Sequence, residues 1–304
     1  MTRAAGDAVE ERAPDPATRE AARAKLNLAL HVLGRRSDGF HDLESLVVFA
    51  DAGDVLTVEE GTPRLEIDGP FAHQLAAEPS EGNLVARVAA HFTVVAGVER
   101  GDLRVRLQKN LPVGAGLGGG SADAAAMLRI LAGRAEVPVP GDVLHEVAGE
   151  LGADVPMCLV SEPLLAGGKG ERLRTVPGIP ALHVVLVWPA VSVSTAMVFR
   201  RLFGPRDPEL PTLPAAFASV AEFVRWLRQT RNGLEDTARD CAPAIGHALQ
   251  ALIASPGCMF ARMSGSGSTV FGIFPFRDAA EHAARLIRSA EPDWWAIATT
   301  TGGS

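Results

Sequence analysis

"LPVGAGLGGGSADAAAMLRIL", Leu111 to Leu131, joins two kinds of backbone that do not normally follow one another. Five of the seven residues from Gly114 to Gly120 are glycine, and the chain then turns at once into helix formers. Glycine loses more backbone entropy on folding than any other residue, so a tight turn explains one or two of them but not five. Five call for a loop whose bare N–H groups approach something closely. The helix start adds N–H groups without intrahelical partners and a partial positive charge. Just upstream, "LRVRLQ" alternates Leu103, Val105 and Leu107 as a strand does. Strand, glycine loop and helix start together make a cradle for phosphate. Ser121 reads either as the helix cap or as a hydroxyl offered to a metal-bound phosphate.

Known phosphate loops narrow the choice. A nucleotide loop of the form G-x-x-x-x-G-K-[ST] needs a lysine where, counting from Gly114, this chain has Gly120. The dinucleotide pattern G-x-G-x-x-G fits Gly114, Gly116 and Gly119. That pattern needs its glycines tight against a buried strand near the beginning of a chain. Here the polar "QKNLP" intervenes, and a long patterned stretch comes first. Dinucleotide binding therefore stands second.

Bulk properties set outer limits. The 304 residues suffice for one large or two ordinary domains, and 47% hydrophobic content supports a buried core. A formal net charge of -7 argues against a broad basic face for nucleic acid, so an anionic ligand must be held by local devices. Cys158, Cys241 and Cys258 are far apart and form no CxxC pair, which argues against a disulfide scaffold and against a zinc site. The histidines show no metal spacing, so no metal site built from the chain's own residues is expected. Met1 to Glu20 is charged and rich in alanine and proline, without the apolar run of a signal peptide or anchor. It reads as a disordered tail (1–20), with no membrane partner and a cytoplasmic location expected.

The rest of the chain alternates unevenly between strands and helices. "AKLNLALHVLG", Ala24 to Gly34, reads as the first strand, "ESLVVFA" as a second, "DVLTVEE" as a third and "RLEIDG" as a fourth. Helices are expected over Asn83–Val95, Gly141–Leu151, Ala221–Arg228 and Pro243–Ala254, and over "DAAEHAARLIRSA" near the end. "LHVVLVW" opens a second set of strands, and "WWAIATT" closes it. Elements mixed without strict alternation indicate the α+β class. A domain boundary is expected within Ser161–Gly170, giving domains 21–165 and 166–304.

"LPVGAGLGGGSADAAA" resembles the second motif of the GHMP kinases, small-molecule kinases with an ATP-binding glycine loop. "ARMSGSGSTVFGIF" is similar to the third, glycine-rich motif of the same family. "AKLNLALHVLGRRSDGFHDLESL", "GADVPMCL", "VSVSTAMVF" and "RNGLEDTA" resemble segments of one branch within it, and the likeness runs from about Ala24 to Phe274. The resemblance implies a two-domain fold, with a ribosomal protein S5 domain 2-like N-terminal domain and a ferredoxin-like C-terminal domain. It implies ATP-dependent phosphorylation of the 2-hydroxyl of a methylerythritol unit carrying a cytidine diphosphate, in isoprenoid precursor synthesis. ATP and Mg2+ are the implied cofactors.

The same likeness assigns residues. ATP contacts are implied along Pro112, Val113, Gly114, Ala115, Gly116, Leu117, Gly118, Gly119, Gly120, Ser121 and Ala122. Asn83 either touches adenosine or caps the helix that follows it. Asp154 becomes the general base, although an aspartate in "LGADVP" also suits a turn. Lys25 would lie beside it and stabilise the forming alkoxide, where the strand alone suggests a solvated lysine. Asn27 shares the Lys25 side of the strand and becomes a substrate contact. Phe40 would stack on the cytosine and His41 would read its edge. Thr195 is a further substrate contact, and Gly265, Ser266 and Gly267 approach the phosphates or brace the glycine loop. Two positions depart from the branch's pattern. Phe40 stands where tyrosine is usual, in a chain with no tyrosine at all, and Gly233 stands in "RNGLE" where "RNDLE" is common.

Overall fold

The computed structural model of the chain describes residues 17–76, 82–96, 102–135, 137–202 and 206–302. Its elements run β1 (Thr18–Arg35), β2 (His41–Glu60), β3 (Arg64–Asp68), α1 (Leu84–Ala96), β4 (Leu103–Gln108) and α2 (Gly119–Arg134). Then come α3 (Gly141–Leu151), α4 (Val155–Val160), β5 (Leu164–Gly168), β6 (Arg172–Thr175), β7 (Leu182–Trp188), α5 (Thr195–Arg201) and α6 (Val220–Leu227). The chain finishes with α7 (Glu235–Cys241), α8 (Ala244–Ala254), β8 (Phe260–Met263), β9 (Val270–Phe274), α9 (Arg277–Ala290) and β10 (Trp295–Thr301).

β2 organises the first half. It pairs antiparallel with β1 along nearly their whole length, and also with β4 and β5. The second and third strands read from the sequence are thus one strand. The turn-like "DAGD" between them stays extended, because Asp54 and Gly53 pair with Ala22 and Arg23 of β1. β1 itself begins at Thr18, not Ala24. The expected tail is therefore shorter than 1–20, and residues 1–16 lie outside the described residues.

A second sheet runs β10-β7-β9-β8 and joins the first where β10 meets β2 through the Thr301–Ala50 pairing. The expected boundary at 165/166 cuts β5, which pairs with β2 and carries β6 with it. The passage between sheets falls after Thr175, in the segment leading to β7.

Packing follows from these pairings. Helices α1 to α4 cover the first sheet over one core, which includes Phe92, Met127 and Leu107. α8 and α9 cover the second over another, with Ile245, Phe274 and Ala283. A third core is shared, bringing Leu26 and Leu28 of β1 against Leu186, Phe223 and Phe271. That shared core presses β1 between the two halves, so alternate residues of one strand serve different purposes. Leu26 and Leu28 enter the apolar interior, and Lys25 and Asn27 are buried on the other side. Among the described residues no helix is long and apolar enough to cross a membrane.

One cation is a strut of this arrangement. Arg262 is buried, with its guanidinium 4.6 Å above the Phe260 ring. It donates to the carbonyl oxygens of Leu28 at 2.8 Å, Leu227 at 3.2 Å and Thr230 at 2.6 Å, and to Thr230 Oγ1 at 2.8 Å. Burial first, and Arg231 nearby, hold its pKa down at about 10 against the pull of Glu235. Arg262→Met would fit the space but strand those carbonyls. It is expected to cost on the order of 3 kcal/mol in chemical denaturation, since an unsatisfied buried acceptor costs about 1–3 kcal/mol.

Candidate active site

The glycine loop closes over a cavity of about 310 Å3 at the N-terminus of α2. The cavity is lined by the whole stretch from Pro112 to Ser121, and by Asn83, Leu84, Leu75, Gly82, Lys109 and Asp123. Ala122 is not part of the wall. It is buried in the helix, and its N–H already bonds the Gly118 carbonyl at 2.8 Å. That is the first intrahelical bond, so the N–H groups of Gly119, Gly120 and Ser121 have no intrahelical acceptor. Ser121 is not the cap: Gly118 holds that position in the left-handed conformation, with no side-chain cap bond. Asn83 lines the cavity and also caps α1, its Oδ1 accepting from the Val85 N–H at 2.9 Å.

Beside the loop lies the pair that the resemblance brought together. Lys25 Nζ is 3.0 Å from Asp154 Oδ2 and donates to Asn27 Oδ1, also at 3.0 Å. The Lys25 N–H bonds the Leu117 carbonyl at 2.8 Å, which ties β1 to the loop. A side chain at Gly118 would press on the Lys25 stem at 3.3 Å, so loop and lysine touch directly. The Lys25 side chain is 8% exposed and that of Asp154 is 40% exposed. The carboxylate thus reaches solvent from one side while a buried ammonium holds the other. Asp154 directly precedes α4 but makes no side-chain cap bond there, which leaves its carboxylate to Lys25. One turn on, Cys158 is buried and its thiol is pushed up to about 12, chiefly by desolvation.

The third motif braces the second. Gly116 packs on Ser264 and Gly267, and the Thr269 N–H bonds the Ala115 carbonyl at 3.0 Å. Gly265 lies against Asn27, whose N–H donates to Ser264 Oγ at 3.1 Å and whose amide donates to Ser45 Oγ at 2.8 Å. Gly267 thus packs on the loop at Gly116, and Gly265 lies against Asn27 and the Gly116 carbonyl. "RNGLE" holds the motif from behind. Asn232 donates to the carbonyls of Met263 at 2.9 Å and Gly265 at 2.8 Å, and Glu235 accepts from the Met263 N–H at 2.9 Å. Gly233 has a local reason. A β-carbon there would overlap the carboxylate of Asp207, which accepts from the Val32 N–H at 2.8 Å.

The far end of the site is aromatic. Phe40 is exposed at the β1–β2 turn, with the Lys169 ammonium 5.0 Å from its ring centre. His41 stacks on Phe199 with centroids 5.1 Å apart and an interplanar angle of 28°. Burial first, and Arg35 second, hold the His41 imidazole below its usual pKa. At neutral pH it is a neutral ring with one donor and one acceptor nitrogen. Helix α5 links this end to the glycine motifs. Thr195 Oγ1 meets Ser266 Oγ at 2.7 Å, and Phe199 follows one turn later, about 6 Å along the axis. The sequence reading missed Phe199, although the i, i+4 spacing from Thr195 would have placed both on one helix face. It also missed Asp54 and Lys109, which bear on the loop from beneath.

Comparison with known proteins agrees with this geometry. The profile of the GHMP kinases N terminal domain matches residues 83–162, and that of the GHMP kinases C terminal matches residues 213–292. The 4-diphosphocytidyl-2-C-methyl-D-erythritol kinase of Parvibaculum lavamentivorans is 43% identical over 287 residues, covering 93% of this chain and 98% of the relative. The protein of the same name from Paracoccus denitrificans is 46% identical over 281 residues, covering 92% and 96%. A crystal structure of 4-(cytidine 5'-diphospho)-2C-methyl-D-erythritol kinase superposes with a TM-score of 0.77 at 34% identity, covering 94% of this chain and all of that one. A homoserine kinase from Cytophaga hutchinsonii shares the fold, with a TM-score of 0.66 at 18% identity and 97% of each chain covered. A fold of two GHMP halves, a phosphate cradle between strand and helix, and relatives matched over nearly their whole length have one reading: the chain is a small-molecule kinase of the GHMP family and belongs to its 4-diphosphocytidyl-2-C-methyl-D-erythritol kinase branch.

Proposed function

We propose that this kinase transfers the γ-phosphoryl group of ATP to the 2-hydroxyl of 4-(cytidine 5'-diphospho)-2-C-methyl-D-erythritol, a step of non-mevalonate isoprenoid precursor synthesis. The observation that carries the reading is the 3.0 Å Lys25–Asp154 pair against the glycine loop. Phosphoryl transfer asks the protein for positioning and charge neutralisation more than for covalent chemistry. The free N–H groups at the start of α2 hold the phosphate oxygens, and the open glycine positions let them come close. The acceptor hydroxyl gives its proton to the Asp154 carboxylate as the oxygen–phosphorus bond forms. The bond from the γ-phosphorus to its bridging oxygen breaks, and ADP leaves. Lys25, held in place by Asn27, offsets the negative charge on the acceptor oxygen.

The ligand's other end meets the aromatic group. Phe40 offers a stacking face without the hydroxyl of a tyrosine, and His41 offers donor and acceptor nitrogens to the base edge. Thr195 and Ser266 lie between the two ends and suit the diphosphate linkage. Magnesium would enter with the nucleotide and neutralise phosphate charge, held mainly by phosphate oxygens with the Ser121 hydroxyl beside them. Among the described residues no group of three His, Cys, Asp or Glu side chains is placed to hold a metal alone.

The test is to incubate the protein with ATP, Mg2+ and one alcohol at a time, following ADP release. The expected result is release with the diphosphocytidyl methylerythritol and none above background with mevalonate or homoserine. Release with either of the others, and not with the first, would overturn the substrate assignment.

A further inference from the structure

Beneath the glycine loop are three ionisable side chains that the reaction does not use. Lys109 Nζ lies 2.5 Å from Asp54 Oδ2 and 2.7 Å from Asp123 Oδ2. All three are buried, at 3%, 0% and 3% exposure. Asp54 Oδ1 accepts the N–H groups of Asn110 at 2.6 Å and Leu111 at 2.8 Å, the last two residues before the loop. Asp123 belongs to α2, two residues after Ser121, and lines the cavity floor together with Lys109. The cluster therefore joins the chain entering the loop to the helix leaving it, and both to β2. The loop bears on it as well. A β-carbon at Gly119 would stand 3.4 Å from Asp54 Oδ2 and 3.5 Å from Lys109 Nζ.

Such a cluster is expensive to keep. Removing three ionisable groups from water costs more than their attraction reliably returns, and apolar residues of equal volume often serve stability as well or better. The balance here is incomplete. One ammonium faces two carboxylates, and Asp123 Oδ1 is buried with no hydrogen-bond partner among the described residues. Burial pushes the Asp123 carboxyl up to about 7, although Lys109 pulls the other way. Burial also works against the Lys109 charge, but Asp123 and Asp54 outweigh it and hold the ammonium above its ordinary value. Stability alone gives no reason for this arrangement at the one place where both ends of the loop meet.

We propose that Asp54, Lys109 and Asp123 form a clamp that sets the span of the glycine loop, and that they act as positioning residues for the nucleotide. The proposal rests on the reading that the loop binds ATP. By fixing Asn110 and Leu111 relative to α2, the clamp keeps the loop amides at the separation that the phosphates require. A relaxed span would weaken nucleotide binding without touching the Lys25–Asp154 pair.

The experiment uses the full chain and a non-hydrolysable ATP analogue with Mg2+, titrated calorimetrically without the acceptor alcohol. Asp123→Asn keeps the volume and an acceptor for Lys109 while removing the carboxyl's ability to ionise. Its affinity for the analogue is expected to fall about tenfold, a typical result of misplaced binding groups. Its melting temperature without nucleotide is expected to hold, and kcat at saturating ATP to change far less than affinity. Unchanged affinity would overturn the proposal, and so would an affinity loss accompanied by a matching drop in the nucleotide-free melting temperature. If Asp123→Asn does not fold, Asp54→Asn poses the same question from the other side of Lys109. Failure of the unaltered protein to bind the analogue would instead remove the ATP reading of the loop, so the two failures are distinguishable.

Discussion

Asp154→Asn is expected to lower turnover by about a hundredfold or more, the usual scale of lost acid–base help. Nucleotide affinity and melting temperature are expected to stay close to those of the unaltered protein. The argument is geometric. Asparagine keeps the size of the side chain and leaves an oxygen for Lys25 Nζ, which Asn27 also holds at 3.0 Å. What it loses is the ability to take the acceptor's proton. The fold should tolerate the change because the carboxylate caps no helix and is 40% exposed. Steady-state kinetics with calorimetric nucleotide binding separates the outcomes. Near-normal turnover would remove Asp154 from its role, and a loss of ATP affinity equal to the loss of turnover would make it a binding residue.

What the sequence conveyed about this site was local. The glycine loop announces itself because seven consecutive residues carry the signal, and the alternation in β4 and β7 is equally compact. The α+β class and two-sheet plan could be read for the same reason. β2 was harder. Asp51, Ala52, Gly53 and Asp54 have turn chemistry, yet they remain extended because Gly53 and Asp54 pair with Arg23 and Ala22 of β1, which brings Asp54 under the loop, where it accepts two backbone N–H groups. The composition that looked like a break belongs to the site. Helices α4, α5 and α7 have six or seven residues each, too short for a period of 3.6 to show. Phe199 was hidden with one of them.

The clamp was invisible for a different reason. Lys109 and its two partners are 55 and 14 positions apart, and a lone lysine or aspartate in a sequence reads by default as a solvated charge. Only the fold shows that all three are out of water. The Lys25–Asp154 pair would have been lost in the same way, since a lysine on a leucine-rich strand and an aspartate before a helix each have an ordinary explanation. The family resemblance joined them, and the register of β1 shows why both fit. Lys25 and Asn27 face the site while Leu26 and Leu28 fill the shared core.

Gly116→Ala should be the most damaging single methyl group in the loop. Gly116 has φ of +80°, where a side chain crowds its own backbone at a cost of about 1–2 kcal/mol. The methyl would also overlap the Gly267 carbonyl and stand 3.2 Å from the Ser264 oxygen. Both neighbours are main chain, so neither can rotate away, and overpacking of this kind adds about 1–3 kcal/mol. The loop and the third motif must separate, straining the bond from the Thr269 N–H to the Ala115 carbonyl. The expected result is a melting temperature lower by on the order of 5 °C or more, with nucleotide affinity reduced at least about tenfold. Gly149→Ala supplies the contrast. That residue lies inside α3 with nothing within 4 Å of an added β-carbon, so the same methyl should stabilise by roughly 0.5–1 kcal/mol. Scanning calorimetry with and without ATP reads both variants. If the two alanines melted alike and bound nucleotide alike, the two glycine motifs would not be pressed together in solution, and the loop's shape would have to be set by its own residues alone.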